Sequence, residues 1–164
     1  MKKTGTLLVS SLLLLGLTAC SSDSGKSEDK GKEEKTEVVE KEKVDQNKEL
    51  RSALLTYQGA VTKVIRGAED GIAGGELDPT EVANTFSTDL TAVEIPDTLK
   101  EYASDLEKAN QDLTQYYTKK AELLKAKSED FTEADTLKQS YIDAVTGVFE
   151  KVELSAPAFK GLFQ

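Results

Sequence analysis

The chain reads as all-α: an antiparallel up-down helical bundle of three long helices plus one shorter helix, preceded by a disordered tether. Three observations carry this. Apolar residues recur at alternating steps of three and four along three separate stretches, the spacing of one face of an α-helix. Gly-Gly, Pro and acidic capping residues stand between those stretches. No run alternates apolar and polar residues for long enough to propose a strand.

Lys2 and Lys3 open the chain, and Leu7 to Gly16 forms a short leucine-rich run interrupted by Ser10 and Ser11. A spanning helix needs about 20 apolar residues, so this run is too short for a permanent span. It ends in Leu17-Thr18-Ala19-Cys20, and Cys20 is the only cysteine among 164 residues. A basic start, a short apolar core and small residues before a break make residues 1–19 a secretory signal. The ending resembles the lipobox of bacterial lipoproteins, with an aliphatic residue three before the cysteine and small residues just ahead of it. The resemblance implies cleavage between Ala19 and Cys20 by the lipoprotein signal peptidase and a diacylglyceryl group on the Cys20 sulfur. A thiol suits that step because a thiolate is the nucleophile. The plainer reading is an ordinary secretory signal with an incidental thiol. Against it, a lone cysteine has no intrachain disulfide partner and is a liability in an oxidising compartment. Acyl chains contribute about 0.8 kcal/mol per buried CH₂, so Cys20 is expected to anchor the protein, extracytoplasmic, to the cell membrane.

Residues 21–49 mix seven lysines with ten acidic residues, and Val38, Val39 and Val44 are their only apolar side chains. Such a stretch buries too little apolar area to offset its ordering entropy, so residues 20–45 are expected to be a solvated tether. From Thr36 the tether has helical character through pairs such as Glu37–Lys41.

The folded domain is expected over 46–164. Its first stripe is Leu50, Leu54, Tyr57, Val61, Val64, Ala68 and Ile72, ended by Gly74-Gly75. Asp78 as N-cap, Pro79 at the first position and Glu81 at the third start a shorter helix carrying Val82, Phe86, Leu90 and Val93. Pro96 breaks it. The next stripe runs through Leu99, Tyr102, Leu106, Ala109, Leu113, Tyr116 and Leu123. Asp130 or Thr132 caps the last helix, whose stripe is Ala134, Leu137, Tyr141, Ala144, Val148 and Val152. The three long helices would measure roughly 42, 45 and 33 Å at 1.5 Å per residue. Short capped turns favour each helix folding back on its neighbour over a parallel coiled-coil oligomer, so a monomer is expected. Tyr57, Tyr102, Tyr116 and Tyr141 read as boundary core residues that keep their hydroxyls wet.

Composition excludes much chemistry. With no histidine, and the one cysteine assigned to lipid, Ser–His–Asp and Cys–His catalysis and histidine-based zinc sites are excluded. No enzyme and no cofactor is expected. The acidic loop of Glu69, Asp70, Glu76, Asp78 and Glu81 departs from the EF-hand pattern, since Ile72 stands where a third-position ligand is needed. Residues 50–164 hold 12 basic against 20 acidic side chains, which disfavours nucleic acid. The lysines 119, 120, 125 and 127 form a local basic cluster, most simply read as favourable charge at a helix C-terminus.

These readings converge on a surface lipoprotein acting as a non-catalytic interaction module, with a membrane or cell-wall protein as partner. A small-ligand-binding lipoprotein and a factor that excludes phage or conjugative DNA are the alternatives. The tail "APAFKGLFQ" holds Phe159, Leu162 and Phe163 after Pro157. Either it plugs the end of the core nearest the tether, or it is an exposed contact patch.

Overall fold

A computed structural model describes residues 33–75 and 77–164, with side chains from residue 46 onward. The lipobox residues Leu17 to Cys20, and the tether as far as residue 32, lie outside the described residues. Helix α1 spans Glu33–Gly74, α2 Pro79–Thr91, α3 Ala103–Lys125 and α4 Thr132–Lys151. A 3₁₀ helix, Asp97–Tyr102, leads into α3, and there is no strand among the described residues.

Each boundary has a local cause. Helix α1 starts at Glu33, inside the segment read as a tether. It ends at Gly75, whose φ of 65° turns the chain out. The Asp78 carboxylate accepts the Thr80 N–H at 2.8 Å and Pro79 takes the first helical position, as the sequence predicts. The third stripe, read as one helix, is divided. No side chain caps its start at Pro96, so the first turn tightens into i→i+3 bonds such as Leu99 N–H to Pro96 C=O, 2.8 Å. That turn drops Leu99 into the core, fully buried. Neither candidate stands at the N-cap of α4, which is Phe131 without a side-chain bond: Thr132 is already helical, and Asp130, one residue further out, accepts the Thr132 N–H at 2.9 Å.

Helices α3 and α4 end in the same way. Ser128 N–H reaches Leu123 C=O and Lys127 N–H reaches Leu124 C=O; Leu154 and Glu153 repeat the pattern on Phe149 and Glu150. These are Schellman endings, and the residue that must be left-handed is Lys127 in one (φ 51°) and Glu153 in the other (φ 56°).

Helix α1 packs on α2, α2 on α3, and α3 on α4, with the 3₁₀ turn set against α1 and α3. At Gly71 a Cβ would come within 3.3 Å of Val82 Cγ2, so the absent side chain lets α2 approach α1 closely. The residues after α4 lie between α1 and α4: Pro157 to Leu162 face Gln58, Thr62 and Arg66 of α1, and the Phe159 ring meets Tyr141 of α4 edge-on at 5.8 Å. Buried Leu54, Val61, Leu106, Leu113, Phe86 and Val148 come from the predicted stripes. Ile65, Tyr117, Val145 and Phe149 join them from one position to the side, because most helices here meet more than one neighbour and bury a wider face. Leu123 and Leu137, placed on the stripes, are only half-buried.

The expectation of wet tyrosine hydroxyls fails for Tyr57 and Tyr141. Both are buried because a neighbouring helix supplies a polar partner: Tyr57 Oη donates to Asn110 Oδ1 at 2.8 Å, and Gln58 Nε2 donates to Tyr141 Oη at 3.1 Å. Tyr116 is buried as well, while Tyr102 is half-buried.

Left-handed backbone strains a side chain with a Cβ, so Lys127→Gly should raise unfolding stability by about 0.5–1 kcal/mol after the extra freedom of the unfolded glycine is subtracted. Thermal denaturation of the two proteins measures it.

Candidate functional site

The lipidation and cleavage residues Cys20 and Ala19 lie outside the described residues. No helix among the described residues is long and apolar enough to cross a membrane.

The most polar part of the interior joins α1, α3 and the tail. Glu69 on α1 is 2% exposed, Lys120 on α3 is 6% exposed and Tyr117 is fully buried. Lys120 Nζ donates to Glu69 Oε2 at 2.7 Å, and Tyr117 Oη donates to Glu69 Oε1 at 2.8 Å. Gln164 completes the set, its N–H donating to Glu69 Oε2 at 3.1 Å and its main-chain oxygen accepting from Lys120 Nζ at 2.9 Å. The Lys120 ammonium also lies 5.6 Å from the Tyr116 ring centre and 5.9 Å from that of Tyr117. Both Glu69 carboxylate oxygens, the Tyr117 hydroxyl and the Lys120 ammonium are thus engaged within the cluster.

The lysine cluster dissolves into separate roles. Lys120 is buried in that pair. Lys119 binds Glu133 at 2.9 Å across to α4, and Lys125 reaches Asp78 at 3.5 Å and Thr80 Oγ1 at 3.2 Å. Lys127 stands in the turn. The acidic loop is dispersed too, with Glu69 internal, Asp78 a cap and Glu76 outside the described residues. Among the described residues no three His, Cys, Asp or Glu side chains converge as a metal site would require.

The tail runs from Glu153, paired with Arg51 at 2.9 Å, to Gln164 beside Glu69. It therefore lies along α1 for some 27 Å at 1.5 Å per residue, rather than plugging the end nearest the tether. Leu162 is buried, and Phe163 meets Tyr116 edge-on at 5.5 Å. Phe159 and Phe163 are half-buried against the tyrosine rings they meet. Beneath the tail, Gln58 Oε1 is buried without a hydrogen-bond partner, beside a cavity of about 90 Å³.

What remains open is a groove of about 920 Å³ between the end of α2, the loop that follows it and the first half of α3. Leu90, Val93 and Ile95 give it an apolar floor; Glu94, Asp97 and Glu107 stand on its rim; Asn110, Gln111 and Thr114 line a polar wall. The Tyr57 hydroxyl holds the Asn110 oxygen from behind. Sequence reading passed over this groove. Its one signal was Val93 and Ile95 on either side of Glu94, two large apolar residues in a loop, which the structure leaves half-buried.

No protein-family model matches the chain, and no curated protein or solved structure matches it either.

Two tests follow from the buried cluster. Removing one member of a buried ion pair strands the other, so Lys120→Ala should lower stability by about 3–5 kcal/mol, whereas Glu69→Leu combined with Lys120→Met should recover most of that loss. The Ile65 carbonyl, 3.4 Å from Tyr117 Oη, would then receive that hydroxyl. Urea denaturation compares the three proteins.

The second test is pH. Burial pushes the Tyr57 hydroxyl up to about 12, only partly offset by its bond to Asn110. Burial also raises Tyr116, Tyr117 and Tyr141, and the Glu69 carboxylate raises Tyr116 and Tyr117 further. A folded pKa above the unfolded one means the folded state keeps its proton longer. This contribution to stability is thus whole below pH 10 and is lost as pH rises from 10 through 12. Absorbance at 295 nm should show these tyrosines ionising together with unfolding, and Tyr57→Phe should make the alkaline fall shallower.

Proposed function

We propose that the chain is a bacterial surface lipoprotein: a non-catalytic interaction module anchored through lipid on Cys20 and held outside the cell membrane by a charged tether. The observation that carries this reading is the sequence Leu17-Thr18-Ala19-Cys20, at the end of a short apolar run and holding the chain's one cysteine. We further infer that the domain is an antiparallel up-down bundle of three long helices and one short one. Supporting it, Lys119 near the end of α3 pairs with Glu133 near the start of α4, and Lys151 at the end of α4 pairs with Asp105 at the start of α3. Lys125 at the end of α3 pairs with Asp78 at the start of α2, and Arg51 in α1 pairs with Glu153 just past α4.

In this reading the first partner is the lipid bilayer and the second is a membrane or cell-wall protein met by the domain's surface. A module of this kind needs rigidity and an exposed recognition surface, and the interlocked core supplies the first. Binding of a small ligand is the second reading, favoured by the α2–α3 groove, whose volume falls in the range of roughly 300–1,000 Å³ usual for ligand sites.

The anchor is tested by growing cells with a fatty-acid probe. Label should attach to the wild-type protein and be lost from Cys20→Ser, which should also leave the membrane fraction. Label retained on the serine variant would refute the lipoprotein reading.

A further inference from the structure

The α2–α3 groove has a simple geometric origin. Helix α2 has 13 residues and α3 has 23, about 20 and 35 Å at 1.5 Å per residue. Helix α2 starts opposite the end of α3, where Asp78 meets Lys125, and it stops before reaching the first turns of α3. The groove is the remainder of that row.

Its chemistry is one-sided. The lining includes Glu94, Asp97 and Glu107 and no basic residue. None of these three carboxylates is in an ion pair among the described residues, whereas Lys119, Lys120, Lys125 and Lys151 are all engaged elsewhere. The floor of Leu90, Val93 and Ile95 is apolar.

We propose that this groove docks a cationic amphipathic segment of a partner protein, its apolar residues on the floor and its Lys or Arg side chains on the rim. The proposal rests on the interaction-module reading and names the partner's chemistry. Charge complementarity selects the occupant: an acidic peptide or an anionic lipid surface meets three uncompensated carboxylates, and a small polycation leaves the apolar floor exposed to water. A helical segment suits the place best, because it would extend the row that α2 leaves unfinished against α3.

The probe is a synthetic amidated 14-residue peptide of Lys and Leu at helical spacing, with a mirror peptide carrying Glu at each Lys. The full chain bearing Cys20→Ser keeps lipid and detergent out of the assay. Fluorescence anisotropy should show saturable binding of the Lys peptide and none of the Glu peptide. Backbone amide shifts should change at the end of α2, in the following loop and in the first turns of α3. Glu94→Gln, Asp97→Asn and Glu107→Gln together should weaken binding at least tenfold with the melting temperature unchanged, since all three are exposed. Val93→Ser should weaken it without altering charge. The proposal is overturned by absent binding, by equal binding of the Glu peptide, by shifts mapping elsewhere, or by an unaffected triple variant. Equally tight binding of spermine would assign the groove to a small polycation, and self-association through these residues would assign it to a second copy; either outcome overturns it too. A failed groove alongside a labelled Cys20 leaves the anchored module standing, and an unlabelled Cys20 removes the anchor without touching the groove.

Discussion

A carboxylate buried between two helices is the constraint around which this domain is arranged. Glu69 is almost wholly out of water, and an ionised group there is tolerated only if paired and hydrogen-bonded. Three parts of the chain meet that demand: Lys120 with the counter-charge, Tyr117 with a hydroxyl, and Gln164 with a main-chain N–H. The last of these ties the tail into the fold. Because the Gln164 oxygen also accepts from Lys120, both ions grip the same residue, and the tail's position is set by geometry as well as by apolar burial. Such a pair adds little net stability over an apolar substitute, but it penalises any packing that leaves one ion alone. It fixes which turn of α1 faces which turn of α3.

The tail then does work that a helix would otherwise do. Helices α1 and α2, α2 and α3, and α3 and α4 pack directly, while residues 157–162 lie against α1 where Gln58 also meets Tyr141 of α4. Phe159 and Phe163 reach Tyr141 edge-on at 5.8 and 6.2 Å, a favoured arrangement of aromatic rings. The fit is imperfect at one point, where Gln58 binds Tyr141 with its nitrogen and leaves its oxygen unpartnered. A non-helical tail that turns at Gly161 cannot interdigitate along a helix as continuously as another helix can, and the small cavity beside Gln58 is where that difference falls.

Periodicity made the helices legible in the sequence, and the cap at Asp78 together with the break at Gly74-Gly75 placed α2 closely. What stayed hidden depends on pairing. Glu69 and Lys120 each look like surface residues beside an apolar stripe, and only the facing of α1 against α3 makes them internal. The same holds for Tyr117 and Ile65, one step off their stripes, whose burial follows from contact with two neighbours at once. The lysines 119, 120, 125 and 127 are close in sequence but divided among separate roles. On the helix Lys119, Lys120 and Lys125 point in different directions and each finds its own carboxylate, while Lys127 stands in the turn beyond it. The groove was least legible, since it arises from unequal helix lengths rather than from any motif.

Those internal pairings also shape the outer surface. Residues 50–164 carry 20 acidic and 12 basic side chains. Arg51, Lys108, Lys119, Lys120, Lys125, Lys138 and Lys151 are each tied to a carboxylate, most of them holding one element against another. Each strut withdraws one positive and one negative charge together, so the acidic excess of these residues is unchanged while few basic side chains remain outside the pairs to face it. That excess is uncompensated around the end of α2, where no ion pair crosses to α3 and where the floor between the helices is apolar. The same economy of basic residues that locks α1, α3, α4 and the tail together leaves that one face acidic and open.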